Sequence, residues 1–228
     1  AEMLNAMRGV MHVVEDERDH RPRYVRYNEG LGHDGQMIAE IASDMLEYSA
    51  GRAYPDAAYV VKEGRARWPA ALVTWFGAKL FCNWRGKRLP TEEEWEGAAR
   101  GRANRTFPWG DVDVRCGGVI APSAGLLRAD PTCPPPTGPS DVGTATQDLT
   151  PEGVHDLGGN VTEWTDSVFG ATTKPGVDDV QAPRVVRGGS YFMSATSRSS
   201  ARRGQPANNL APNGGFRCAS SVLPDPSR

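Results

Sequence analysis

Apolar positions in the first quarter of the chain recur at the three- and four-residue spacing of an amphipathic helix. Within residues 1–18 they fall on one helical face, and a charged run over residues 15–19 follows them. Residues 36–49 repeat the pattern, and Gly51 is available to end that helix. We therefore predict two helices, which form an N-terminal extension over residues 1–53.

A stronger helical signal begins near Trp68. Pro69 suits the first turn of a helix, apolar side chains form a stripe over residues 72–80, and Gly86 fits the end. The pattern predicts the central buried helix of the domain.

A second helix is predicted directly afterwards. Thr91 suits the N-cap, and Glu94 stands three residues later, where a capping box places its acidic member. The negative charges of Glu92 and Glu93 would be stabilised by the positive end of the helix dipole, and Gly101 would end the helix. The same acidic cluster could be read as a metal or acid–base site, but its position at a helix N-terminus favours the structural interpretation.

Composition narrows the class of protein. The 228 residues carry a net charge of −2, from 26 basic and 28 acidic side chains, so nothing in the charge favours a nucleic-acid or anionic-membrane partner. Glycine (26) and proline (18) are abundant, which suits a loop-rich α+β domain. The sequence has no apolar run of about 18 residues, so we expect no membrane span. The length favours one main domain.

Residues 156–164 combine acidic, amide and glycine positions and end in Trp164. Asp156 and Glu163 offer the hard carboxylate oxygens that calcium prefers, Asn160 offers a neutral oxygen, and the glycines allow carbonyl groups to turn inward. An Asx-rich turn that leads into a strand explains the same residues without a metal. The stretch indicates either a calcium loop or an ordinary turn before a core strand.

Three further motifs accompany this loop: GKRLPTEEEWE at residues 86–96, RGGSY at 187–191 and NGGFRC at 213–218. In this order the four blocks resemble the formylglycine-generating-enzyme (sulfatase-modifying factor) family, whose domain is a variant of the C-type lectin fold. The resemblance covers about residues 54–221. It implies an α+β, loop-rich, C-type-lectin-like domain over residues 54–228, to which the N-terminal helices are added. The opening strands and Met-Gly motif that are usual in the family are not recognisable before Tyr54.

The resemblance implies a structural calcium ion in the 156–163 loop. Its ligands would be the side chains of Asp156 and Glu163 and the main-chain carbonyls of Gly159 and Val161. The ion would neutralise these oxygens and fix irregular backbone, with no redox role.

The four cysteines allow three pairings. The resemblance implies a Cys82–Cys218 disulfide, which leaves Cys116 and Cys133 to close a local proline-rich loop. Each bridge would contribute about 2–4 kcal/mol and would indicate an oxidising, extracytoplasmic location: periplasmic, cell-surface or secreted. Four reduced cysteines in a cytosolic protein are the alternative.

The resemblance fails at the copper site of the catalytic family members. Those enzymes bind copper through two cysteines after the Gly-Gly-Ser motif, because Cu(I) requires soft thiolates. Here Met193 stands at the first position and Ser197 or Arg198 near the second, with no cysteine between Cys133 and Cys218. Thr162 also replaces a tryptophan beside the substrate groove. We therefore expect no copper and no formylglycine generation.

A polar, basic segment remains where the family resemblance places the ligand-facing surface. Its groove candidates are Ser190, Tyr191, Met193, Arg198, Arg202, Arg203, Asn208 and Asn209. An ordinary solvated loop, with arginines that serve solubility, is the alternative interpretation.

These observations favour a non-catalytic binding or structural module in an extracytoplasmic protein or assembly. We expect a protein partner or a larger assembly, and a small ligand is possible. The alternative is an enzyme of the same superfamily, either an oxidase that acts on sulfatase cysteine or an iron-dependent sulfoxide synthase. The four histidines, His12, His20, His33 and His155, do not reproduce the iron-binding pattern of such synthases.

Overall fold

The computed structural model describes the backbone of five short strands between residues 11 and 61. With side chains, it describes residues 63–124, 126, 129–170 and 182–221. Within these ranges no helix has the length and apolarity that crossing a membrane requires.

The N-terminal strands form two small antiparallel sheets. In the first, β1 (Met11–Glu15) pairs with β2 (Pro22–Tyr27), which also pairs with β3 (Met37–Ala39). In the second, β4 (Leu46–Tyr48) pairs with β5 (Tyr59–Val61).

The prediction of N-terminal helices is therefore wrong at β1, β3 and β4. Val13 and Val14 are β-branched, a residue type that favours strands, and they lie opposite Val25 and Tyr24 in β2. Pairing with β2, and not the helical spacing of the apolar residues, therefore determines the structure here. In short apolar runs of this kind, periodicity does not distinguish a helix from a strand. The other residues of both predicted helices lie outside the described residues.

The central helix, α1, spans Trp75–Trp84 and confirms the predicted element, although not its start. Thr74 caps the helix by accepting a hydrogen bond from the Gly77 amide (3.2 Å). Leu72 has a φ of +55°, a left-handed conformation that no right-handed helix can contain. The helix therefore begins after Leu72 and not at Pro69.

The second helix, α2, spans Glu92–Arg100 and has the predicted capping box. The Thr91 hydroxyl accepts from the Glu94 amide (3.2 Å), and the Glu94 carboxylate accepts from the Thr91 amide (2.9 Å). Gly101, at a φ of +56°, ends the helix as predicted.

The main sheet has the order β8-β7-β6-β9. Its strands are β6 (Thr162–Val168), β7 (Arg184–Arg187), β8 (Arg202–Gln205) and β9 (Gly214–Phe216). Neighbours are antiparallel except β6 and β9, which run parallel. Helix α1 packs on this sheet. Strand β6 begins at the end of the 156–163 loop, and β9 directly precedes Arg217, so the sheet fixes the position of both.

Two buried tryptophans join α1 to β6. The Trp75 indole donates to the Thr165 carbonyl (2.8 Å), and the Trp164 indole donates to the Val73 carbonyl (2.9 Å). Both rings belong to the main hydrophobic core, where their polar atoms are satisfied. The 156–163 loop thus leads directly into a rigid core strand.

Both expected disulfides are present. Cys82–Cys218 joins α1 to the segment after β9, with a Cα–Cα distance of 5.5 Å, and Cys116–Cys133 closes the proline-rich loop at 5.3 Å. All four cysteines of the chain are therefore oxidised.

Candidate functional site

The backbone of the 156–163 loop is irregular and well anchored. Asp156 and Asn160 adopt positive φ angles (+58° and +67°), which aspartate and asparagine tolerate better than most residues. The Asn160 side chain accepts from the Ser140 amide (3.0 Å) and donates to the Ser140 carbonyl (3.1 Å). Asn160 thus fixes the loop to the neighbouring chain rather than offering its amide oxygen to an ion.

Glu163 is held from two elements. Its Oε2 accepts from the indole of Trp95 in α2 (2.7 Å) and from Nε of Arg217 (2.5 Å), and its Oε1 accepts from Nη2 of Arg217 (2.6 Å). The residue is only 4% exposed, so this is a bidentate ion pair in a largely dry environment. Each carboxylate oxygen has two lone pairs, and Oε1 uses one of them here.

Asp156 keeps one free oxygen. Its Oδ2 accepts from the Gly143 amide (2.7 Å), but its buried Oδ1 has no hydrogen-bond donor. Burial raises the pKa of this carboxyl group, because the charged form loses hydration. An unpartnered buried carboxylate oxygen is the feature that a bound cation would satisfy.

A third acidic residue, Asp148, lies behind the loop. Its carboxyl group is fully buried, and both of its oxygens lie 3.0 Å from the Gly158 amide nitrogen. Burial raises its pKa to about 7, and the charge of Asp156 adds to the effect. The sequence offered no signal for this residue, because it lies in an aperiodic stretch and its burial arises from contacts ten residues away.

Three carboxyl groups therefore lie close together at this loop. Arg217 interacts electrostatically with Asp148, Asp156 and Glu163, and its Nη2 also donates to the carbonyls of His155 (2.9 Å) and Asp156 (3.3 Å). One guanidinium thus faces three carboxyl groups.

Three of the four predicted calcium ligands lie at one cavity, which Arg217 also lines. Asp156, Val161 and Glu163 line one open cavity of about 640 Å³. Asp156 Oδ1 lacks a donor, and Glu163 Oε1 retains a lone pair. A Cβ at Gly159 would lie 2.7 Å from the Ile120 carbonyl, so this position requires glycine.

The Gly-Gly-Ser motif packs against this loop. A Cβ at Gly189 would lie 2.2 Å from the Gly158 carbonyl, and the Tyr191 amide donates to the Asn160 carbonyl (2.9 Å). The two most informative motifs of the sequence therefore form one continuous unit.

Residues 190–193 form a closed turn. The amides of Ser190 and Met193 donate to each other's carbonyls (2.8 and 3.1 Å), and the Ser190 hydroxyl accepts from Asn213 Nδ2 (3.0 Å). The turn presents Phe192 to solvent with 72% of its surface exposed.

Met193 and Arg203 meet beside this turn. Nη1 of Arg203, in β8, donates to the thioether sulfur of Met193 (2.9 Å). Gln205 lies two residues further along β8, on the same face, and its Oε1 accepts from Asn209 Nδ2 (2.9 Å). We name this face the Phe192 surface, formed by Phe192, Met193, Arg203, Gln205 and Asn209.

The remaining groove candidates lie elsewhere or behind this surface. Arg202 precedes Arg203 in β8 and points to the opposite face, where it pairs with Glu92 (2.6 Å) and lies over the Phe169 ring. Arg198 lies over the Phe107 ring (5.3 Å). Ser190 is buried behind the turn, and Asn208 is exposed.

The positions that correspond to the copper ligands of the catalytic enzymes hold no thiol. Met193 already contacts Arg203, Ser197 is fully buried with its hydroxyl unpartnered, and Arg198 is exposed. Thr162, which replaces the groove tryptophan, is buried and donates its hydroxyl to the Asn213 carbonyl (3.1 Å). Because Cu(I) requires soft ligands, hydroxyl and guanidinium groups cannot reproduce the site.

The mixed sheet, the two helices and the four motifs define a sulfatase-modifying-factor domain. The family described as "Sulfatase-modifying factor enzyme 1-like domain" matches residues 23–222, and the chain belongs to this family. The match begins inside the predicted N-terminal extension, and the division of the chain between residues 53 and 54 stays a prediction.

Known relatives carry both catalytic and non-catalytic names. The chain is 36% identical over 171 residues to "Inactive C-alpha-formylglycine-generating enzyme 2" of Bos taurus, covering 69% of this chain and 52% of that protein. It is 34% identical over 186 residues to "Formylglycine-generating enzyme" of Mus musculus, covering 70% and 46%. The chain thus spans about half the length of these relatives.

A solved structure supports the fold. "Crystal Structure of CarF" superposes with a TM-score of 0.52 at 20% identity, covering 69% of each chain. At this identity the likeness concerns the fold alone.

Proposed function

We propose that this domain is a non-catalytic binding module on the formylglycine-generating-enzyme fold. The observation that carries the proposal is the chemistry at Met193, Ser197 and Arg198, where a thioether, a hydroxyl and a guanidinium group stand in the copper region. All four cysteines are already used in disulfides, so none is free to bind copper or to engage a substrate cysteine. The relative from Bos taurus whose name calls it inactive supports the same interpretation.

The test is a direct assay for formylglycine. The purified protein would be incubated with Cu(I), oxygen and a synthetic cysteine-containing sulfatase peptide, and the peptide mass would be followed against the Mus musculus enzyme as positive control. We expect the cysteine to remain unchanged. Conversion to the aldehyde above the protein-free background would overturn the proposal and favour the oxidase alternative.

We further propose that the 156–163 loop holds a structural calcium ion. The side chains of Asp156 and Glu163 and the carbonyls of Gly159 and Val161 would hold it, and the ion would supply positive charge to a carboxyl-rich loop. The unpartnered Oδ1 of Asp156 is the main support. Arg217 already neutralises Glu163 in part, so we expect the ion to stabilise the loop rather than to be required for folding.

The two disulfides support an extracytoplasmic location, and we propose that the domain works there as part of a larger protein or assembly. Fractionation of the host cell that places the protein in the reducing cytoplasm would contradict this proposal.

A further inference from the structure

The Phe192 surface has an exposed apolar side chain on a turn whose backbone is held by hydrogen bonds. Phe192 lies at the tip of the closed 190–193 turn, which is held by two backbone hydrogen bonds and by the Asn213–Ser190 contact. With 72% of its surface exposed, the ring is the most exposed large hydrophobic side chain among the described residues. Because this backbone is already ordered, binding at the turn loses little backbone conformational entropy.

The surface also offers a cation without an acidic partner. Arg187, Arg202 and Arg217 each pair with a glutamate. Arg203 is different: within the described part of the chain, its polar contact is the Met193 thioether, and no carboxylate lies within 4.0 Å. A thioether is a weak acceptor, and a guanidinium group has five donors in a planar fork that matches a carboxylate. Arg203 therefore retains the capacity to bind an anionic group.

Two amide side chains extend the surface along β8. Gln205 and Asn209 hydrogen-bond to each other through one acceptor and one donor, which leaves the Gln205 amide nitrogen and the Asn209 amide oxygen to pair with other groups. A donor and an acceptor side by side suit a peptide backbone, which presents both.

We propose that the Phe192 surface binds an acidic peptide segment, with a carboxylate on Arg203 and an apolar side chain on Phe192 and Met193. This inference rests on the proposed binding function and names its partner class. A nucleic acid fits less well, because phosphate-backbone binding relies on several cations and this surface has one.

The experiment is a selection from a random 12-residue peptide phage library on the immobilised protein. Dissociation constants of the selected peptides are then measured by fluorescence anisotropy. We expect the peptides to combine Asp or Glu with an aromatic or leucine residue. Arg203→Gln and Phe192→Ser should each weaken binding about tenfold or more, whereas Arg202→Gln, on the opposite face of β8, should change it by less than about twofold. Thermal melts verify that each variant is folded.

Three outcomes would overturn the inference. Selected peptides that depend on Phe192 but contain no acidic residue would refute the partner class and leave the binding function intact. Equal losses for Arg202→Gln and Arg203→Gln would show a general charge effect rather than a built site. Tight binding of a labelled 20-base-pair DNA duplex that Arg203→Gln abolishes would reassign the surface to nucleic acid. Formation of formylglycine in the enzyme assay would instead overturn the proposed function itself.

Discussion

Asp148 makes a contribution to the stability of the folded domain that depends on pH. In the unfolded chain its pKa is near 3.8, and burial raises the folded value to about 7. Between these values the folded state keeps a proton that the unfolded state has lost. The contribution of Asp148 to stability therefore falls as pH rises from about 4 to about 7, and this loss levels off above pH 7.

Asp148→Asn should remove this contribution, because the amide does not titrate. Relative to the wild type, the variant should gain stability as pH rises from about 4 to about 7, by at most about 4 kcal/mol. Chemical denaturation at several pH values measures the gain, with chelator present so that a calcium ion at Asp156 does not add its charge. Asp130→Asn is the matched control: Asp130 is exposed and hydrogen bonds from Thr132 lower its pKa, so its contribution has the opposite sign. A gain for Asp148→Asn that does not vary with pH would contradict the assignment.

Sequence patterns identified some site residues and missed others for a physical reason. Asp156 and Glu163 belong to a motif with a recognisable spacing, and the structure places both beside one cavity. Asp148 belongs to no such motif, because its environment is formed by Gly158 and Asp156, which lie in the following loop. Likewise, nothing in the sequence separates Arg203 from its neighbour Arg202, since their opposite faces follow only from the alternation of side chains along β8.

At the scale of elements, sequence motifs predicted those helix ends that are determined by interactions between residues close together in the chain. Helix α2 follows the prediction at both ends because its capping box and terminal glycine act within a few residues. The N-terminal strands were mistaken for helices because β1 and β3 are set by pairing with β2 and not by their own periodicity. The start of α1 was missed because the left-handed backbone of Leu72 has no sequence signature.

The two disulfides link elements over different distances and should differ in their contribution to stability. Cys82–Cys218 spans 136 residues and Cys116–Cys133 spans 17. The loop-entropy relation gives about 3 kcal/mol for the short bridge and about 5 kcal/mol for the long one, which is above the typical 2–4 kcal/mol because its loop is so long. The Cys82→Ser/Cys218→Ser variant should thus melt at a lower temperature than the Cys116→Ser/Cys133→Ser variant. The reverse order in calorimetry would show that native-state strain, and not loop closure, dominates.

At the scale of the whole molecule, the chain keeps the family scaffold and departs from it at the copper site. The motifs that build the scaffold are intact: the capped helix α2, the 156–163 loop, the Gly-Gly-Ser turn and the disulfide from α1 to the segment after β9. The copper positions instead hold one thioether, at Met193, and hydroxyl or guanidinium groups, which do not supply the pair of thiolates that the catalytic members use. We therefore propose two separate things: that the 156–163 loop holds a structural calcium ion, and that the region of Met193 holds no catalytic copper.

Metal content tests this separation most directly. Purified protein would be measured by elemental mass spectrometry before and after chelator treatment, with thermal melting in parallel. We predict about one equivalent of calcium, a melting temperature that falls when the chelator removes the ion, and no stoichiometric copper or iron. An Asp156→Ala variant should lose both the calcium and the response to chelator. Copper or iron near one equivalent would contradict the account and restore a catalytic role for Met193 and its neighbours.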